Sequence, residues 1–249
     1  MNVRTIKVSK VRPGDCTLTE FLDTYITELH EDTVIAIAAK IVSMCENRAV
    51  PMTGIEKNDL VKQHSAYYLP REDNPYNVTL SIAHNLLVAA GGIDESNADG
   101  NYILWPADLQ ASVNYIRDYL TKKFGLKHLG VVMTDSTTRP FQWGTTGLGI
   151  AHSGFAALKS YIGTTDIFGR EMMFQNNNIA NGLAAAAVLL MGEGSEQTPL
   201  AVIEDVSFVE FQPRNPSTEE LAKLHISIDE DIYSPLLKNT PWKKGDLAE

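Results

Sequence analysis

The chain has 249 residues, 44% of them hydrophobic and 21% charged, with a mean hydropathy of -0.13. That is enough to bury a core without a disulfide or a structural metal, and it is the composition of a globular protein rather than a disordered one. A formal net charge of -10 excludes the broad basic face that nucleic acid demands, so no nucleic-acid partner is expected.

Residues 1–10 alternate charged and short apolar side chains. This predicts a first strand and not a signal peptide. Cys16 and Cys45 lack any metal-type spacing and read as free thiols of a reducing compartment, packed as small hydrophobes. Thr17 opens a capping box with Glu20, and Leu18, Phe21, Leu22, Tyr25, Ile26 and Leu29 follow at helical spacing. The β-branched run Thr33–Ala38 predicts a strand buried on both faces. Residues 40–48 read as a polar stretch, 70–75 as a proline-punctuated loop, and 78–88 as a second strand region.

Asp108 caps a helix whose core face is Leu109, Val113, Ile116 and Leu120, and residues 129–133 form another apolar strand. From 134 to 169 the chain is rich in Gly, Thr, Ser and Asp, a composition that builds sites more readily than cores. Ile179–Met191 is a nearly all-apolar helix with four consecutive alanines. It is shorter than the roughly 20 residues a bilayer span requires, so no membrane partner and a cytoplasmic location are expected. Gly192-Glu193-Gly194-Ser195 ends the helix; strands at 200–203 and 206–211 and a proline-marked region with a helix and an extended tail complete the chain. Strands and helices intermix without regular alternation, which predicts an α+β (mixed α/β) fold.

Three acids sit where an element yields to a glycine-rich or polar turn: Asp94, Asp135 and Glu193. Carboxylates displayed in this way can share a hard cation such as Mg²⁺, which takes one or two carboxylates together with phosphate oxygens. Taken singly, each reads as a turn cap. Gly144-Thr145-Thr146-Gly147-Leu148-Gly149 falls short of a dinucleotide fingerprint and reads as turn glycines. His84 and His152 have no metal-type partner in sequence, and Ser153 lacks the Gly-x-Ser-x-Gly setting of a hydrolase nucleophile.

Read together, these segments resemble the coenzyme F-420-0 γ-glutamyl ligases and their relatives, some of which serve folate. The resemblance runs through Pro13-Gly14-Asp15, Lys40-Ile41-Val42-Ser43 with Glu46 and Arg48, and Gly92-Ile93-Asp94-Glu95-Ser96-Asn97. It continues through Asp135-Ser136 with Arg139-Pro140 and Gly144, Asp166 with Phe168-Gly169-Arg170, and 184–193. It implies a ligase core over about 11–205 in one ligase domain, with 206–249 as a C-terminal helix and tail, no appended second domain, mixed and largely antiparallel sheets, and an intertwined homodimer.

The resemblance also implies that Asp94, Asp135, Ser136 and Glu193 hold two divalent ions, Mg²⁺ or Mn²⁺, against GTP or ATP. Val11, Arg12, Pro13, Gly14, Asn97, Met191, Gly192, Gly194 and Ser195 are the implied nucleotide contacts. The implied reaction joins L-glutamate to the carboxylate tail of a cofactor through an acyl phosphate. Departures from the F-420 pattern are Gln142 and Trp143 after Arg139-Pro140, Asn181-Gly182 before the alanines, Glu204-Asp205 after the next strand, and Ala39 and Met44 for a serine and a lysine. Fewer cations, and an aromatic able to stack on a pterin, favour a folate-type acceptor over F-420-0, which is the alternative. A non-catalytic nucleotide- or cofactor-binding protein is a further alternative; it predicts the loss of a metal acid.

Overall fold

Alternate residues of the apolar run Thr33–Ala38 serve two different cores, which is why the run shows no polar face. A computed structural model describes residues 1–247. Its first half comprises β1 (Asn2–Ile6), α1 (Leu18–Tyr25), β2 (Thr33–Ala38), α2 (Ala39–Cys45), β3 (Ala49–Pro51), α3 (Lys57–Gln63), β4 (Tyr67–Leu69), β5 (Leu80–Ala83), β6 (Leu86–Ala89) and β7 (Asn101–Ile103). There follow α4 (Leu109–Phe124), β8 (Leu129–Thr138), β9 (Thr145–Ser153), β10 (Leu158–Ser160), β11 (Asn176–Asn178), α5 (Ile179–Met191), β12 (Leu200–Glu204), α6 (Thr218–Ala222), α7 (Ser234–Leu237) and β13 (Lys243–Lys244).

The central sheet has the order β1-β12-β2-β8-β9. Only β2 and β8 run parallel; the other pairs are antiparallel. On one face Ile35, Ile37, Val131, Met133, Leu200 and Val202 pack against α1, α2 and α4. On the other, Val34, Ala36, Val132, Ala201 and Ile203 pack against α5. Both faces are covered, so the sheet sequence loses the period-two alternation of a half-exposed strand. Smaller sheets, β13-β4-β5-β6, β3-β7 and β10-β11, complete the α+β architecture expected from the sequence.

Local chemistry accounts for the element ends. Thr17 and Glu20 make both halves of the capping box on α1, Asp108 caps α4 through the Ala111 amide, and Gly125 closes α4 in the left-handed region at φ 68°. A second capping box, Ser217 with Glu220, starts α6.

Several sequence expectations change. Within residues 40–48 the chain forms α2, with Ile41, Val42, Ser43 and Met44 buried, because its apolar side chains fall on one helical face against the sheet. The region 78–88 is a hairpin rather than one strand: His84 and Asn85 turn it at φ 50° and 57°, between β5 and β6. Residues 206–211 are not a strand; they contribute a single bridge, Phe211 to Phe155. The tail returns to pair β13 with β4. Cys16 and Cys45 are half-buried free thiols.

The polar stretch after 133 is mostly a long arm. β8 and β9 continue as an antiparallel pair to Thr138 and Thr145, with a register shift between Met133 and Thr134. Such an irregularity twists the strand and re-aims the next side chains; here the next residues are Thr134, Asp135 and Ser136. Gly147 and Gly149 are strand residues beneath α5, not turn residues. A Cβ on Gly147 would lie 2.3 Å from the Ala184 carbonyl oxygen, and one on Gly149 would lie 3.1 Å from that of Ala180.

Candidate active site

A cavity of about 620 Å³ opens where β8, the start of α2, the 94–99 turn and the turn after α5 meet. It is lined by Val11, Arg12, Asp94, Asn97, Asp135, Ser136, Met191, Gly192, Glu193, Gly194 and Ser195. These residues lie up to 184 positions apart in sequence (Val11 to Ser195). Of the metal ligands and nucleotide contacts implied by the resemblance, Pro13 and Gly14 do not line it. Gly14 lies behind, at φ 79°, with its amide donating to the Met44 carbonyl at 3.1 Å.

Asp94 is set by backbone and side chain together. Its N–H and C=O exchange hydrogen bonds with Ile103 at 3.0 and 2.8 Å. Its carboxylate accepts from the amide and hydroxyl of Ser96 at 2.8 and 2.9 Å, and faces the Lys40 ammonium at 2.5 Å. Burial pushes the Asp94 pKa up, but Lys40 and the Ser96 donors outweigh it and hold the acid below its ordinary value.

Asp135 stands in the opposite condition. Burial, reinforced by the nearby negative charge of Asp94, raises its pKa to about 6, against the hydrogen bonds it accepts from the Ser136 amide at 2.8 Å and the Trp105 indole at 2.6 Å. A buried carboxylate beside a second one is a site that a cation would relieve. Glu193 is reached through Ser136, whose hydroxyl lies 2.7 and 2.8 Å from its two oxygens; Thr145 adds a contact at 3.2 Å.

No three of Asp, Glu, His and Cys gather closely enough to hold an ion by themselves among the described residues. The oxygen set of Asp94, Asp135, Ser136 and Glu193 nonetheless suits a hard cation completed by phosphate oxygens.

The rim is formed by the glycine turn after α5. Gly192 takes φ 81°, and a Cβ there would meet Glu196 Cδ at 2.5 Å. The Glu196 carboxylate accepts from the Gly194 amide at 2.8 Å, while Asn97 donates to the Gly194 carbonyl at 2.9 Å, tying the two sides of the cavity together. Arg12 is paired with Asp99 at 2.8 Å. Lys40 and Trp105 were not among the site residues expected from the sequence: Lys40 lies in a segment that carries the resemblance but was given no role there, Trp105 lies in no motif, and each acts on an acid 30 or more positions away.

Residues 5–205 match the family model described as F420-0:Gamma-glutamyl ligase. The chain belongs to this family. It is 31% identical over 210 residues to the coenzyme F420:L-glutamate ligase of Methanopyrus kandleri, covering 78% of this chain and 82% of that one. The ligase of the same name from Methanococcus maripaludis is 32% identical over 211 residues, with 77% and 82% covered. That from Archaeoglobus fulgidus is 28% identical over 244 residues, 92% and 94% of the two chains. The chain is therefore an enzyme of the gamma-glutamyl ligase type.

His152 lies outside the cavity lining and is buried edge-on beside Phe155.

Proposed function

We propose that this enzyme joins the amine of L-glutamate to the carboxylate tail of an F420-0-type acceptor, using a nucleoside triphosphate and divalent cations. The convergence of Asp94, Asp135, Ser136 and Glu193 on one cavity carries this reading. The acceptor follows the curated relatives, which are named for coenzyme F420. This favours the alternative over the folate-type acceptor that the altered cationic positions suggest.

Divalent ions, when bound, would neutralise the phosphate oxygens and the charge that develops on the transferred phosphoryl group. Asp94, Asp135 and Glu193 would hold them, with Ser136 adding a neutral oxygen. The acceptor carboxylate attacks the terminal phosphorus, the bond to the bridging oxygen breaks, and the nucleoside diphosphate leaves. The uncharged amine of glutamate then attacks the acyl carbon, phosphate departs and the amine loses a proton. Asn97 and the turn 191–195 would border the nucleotide, and closing them over it would exclude water from the acyl phosphate, which water would otherwise hydrolyse. The chain needs no side-chain nucleophile for this chemistry, because positioning and charge neutralisation carry it.

One observation favours folate as a second acceptor: Trp143 is 92% exposed and meets Tyr76 edge-on at 6.3 Å, leaving an aromatic face free for a flat ring. A homodimer is part of the same proposal. Ile167, Phe168 and Phe174, between β10 and β11, are each at least 88% exposed, and a partner chain would cover them.

The test is phosphate release from GTP and from ATP with glutamate and Mg²⁺ or Mn²⁺, over a panel of F420-0, folate and tetrahydrofolate. Release only with F420-0 is the expected result. Release only with a folate transfers the enzyme to the second reading, and none with any acceptor overturns ligation.

A further inference from the structure

Asp135 is the most buried of the three cavity acids, and its geometry depends on a residue that no motif includes. Trp105 is itself buried, with 6% of its surface exposed, and its indole N–H reaches Asp135 at 2.6 Å. The Ser136 amide takes the other carboxylate oxygen, so both oxygens are fixed and the plane of the group is set. Trp105 also lies two residues beyond Ile103, whose backbone forms the bridge to Asp94. The one short segment 103–105 thus holds both acids, the backbone of Asp94 through main-chain hydrogen bonds and the carboxylate of Asp135 through the indole.

The segment is held from behind. Arg48 donates through Nε to the Trp105 carbonyl at 3.1 Å, and the Leu104 amide donates to the Arg48 carbonyl at 2.9 Å. The indole lies so close on Gly92 that a Cβ there would meet Trp105 Cε2 at 2.2 Å. His84, from the β5–β6 turn, flanks the ring at 5.8 Å between centroids. A ring flanked by Gly92 and His84 on a backbone held by Arg48, with its single N–H aimed at a carboxylate, is a support for that carboxylate.

We propose that Trp105 is a positioning residue of this ligase: through its indole N–H it fixes the orientation of the Asp135 carboxylate in the cavity, where that group would bind a divalent cation. This rests on the proposed cation site. Without the N–H, Asp135 would keep only the Ser136 amide, and its second oxygen would be free to turn. Partners in this position typically contribute about 10- to 100-fold to metal affinity.

The experiment compares wild-type, Trp105→Phe and Asp135→Asn full-length protein for Mn²⁺ binding by electron paramagnetic resonance, with and without GTP. Melting temperatures and the Mn²⁺ dependence of turnover are measured alongside. Trp105→Phe keeps an aromatic ring on Gly92 and removes the donor. The expected result is Mn²⁺ affinity weakened about tenfold or more, with turnover recovering at saturating Mn²⁺; a merely structural role would lower the melting temperature and leave Mn²⁺ half-saturation unchanged. Unchanged affinity in folded Trp105→Phe, with loss in Asp135→Asn, overturns the proposal and leaves the cation site standing. Unchanged affinity in Asp135→Asn overturns the cation site itself. Should Trp105→Phe not fold, the indole N–H resonance of Trp105 in wild-type protein decides: a shift on titration with Mg²⁺ and GTP supports the proposal, and no shift overturns it.

Discussion

Asp135 and His152 are both perturbed by burial, to opposite ends. Asp135 lines the cavity, where a cation can reach it, whereas His152 is buried among core residues outside that lining. Burial, only slightly opposed by the charge of Glu220, pushes the His152 pKa down to about 4 from an ordinary 6.5. The unfolded chain therefore binds the proton more readily than the native one. Stability from this group is fully present above pH 6.5, declines by about 1.4 kcal/mol per pH unit as the pH falls towards 4, and then levels off. Urea denaturation of wild-type and His152→Gln protein between pH 7 and 4 should give a flatter curve for the variant. Parallel curves would mean that His152 titrates normally in the fold. Asp94 shows the contrary balance, since Lys40 and Ser96 overcome its burial and keep it ionised.

At the level of elements, the site depends on how closely α5 lies on β9. The alanines of α5 and the glycines of β9 are one feature seen from two sides: Gly147 leaves no room for a Cβ between its backbone and the Ala184 carbonyl oxygen, and Val188 Cβ would be 2.8 Å away. This close approach brings the C-terminal turn of α5, with Glu193, beside Ser136 and Thr145. Gly147→Ala should destabilise the protein by about 1–3 kcal/mol through overpacking, measured as a fall in the urea midpoint, and should loosen the Glu193 contact. A variant as stable as wild type would show that α5 can move away without cost. The register shift between Met133 and Thr134 has a comparable role in β8, where the strand passes from core to cavity.

For the whole molecule, the uneven distribution of apolar surface is the leading feature. Phe141 and Trp143 at the tip of the β8–β9 arm, and Ile167, Phe168 and Phe174 between β10 and β11, are almost fully exposed in the single chain. Monomeric proteins rarely leave such clusters to solvent. Sedimentation equilibrium at micromolar concentration should give twice the 27.4 kDa chain mass, and Phe168→Asp with Phe174→Asp should return the monomer. A monomeric wild-type protein would rule the dimer out.

What the sequence determined by itself was local or carried by identity: capping boxes, the amphipathic α1 and α4, the doubly buried β2, and three acids at element ends that matched a ligase pattern. These are legible because they depend on near neighbours in the chain or on residue type. The hairpin at His84-Asn85 and the helix α2 were missed: a two-residue turn without glycine gives a weak signal, and a seven-residue helix has too few turns for its period to stand out. Only the tertiary structure decided which acids share a cavity, that Pro13 and Gly14 stand outside it, and that Lys40 and Trp105 control Asp94 and Asp135. Those relations join residues 30 to 57 positions apart or more across packed elements, where distance in space is set by packing and leaves no period in the chain.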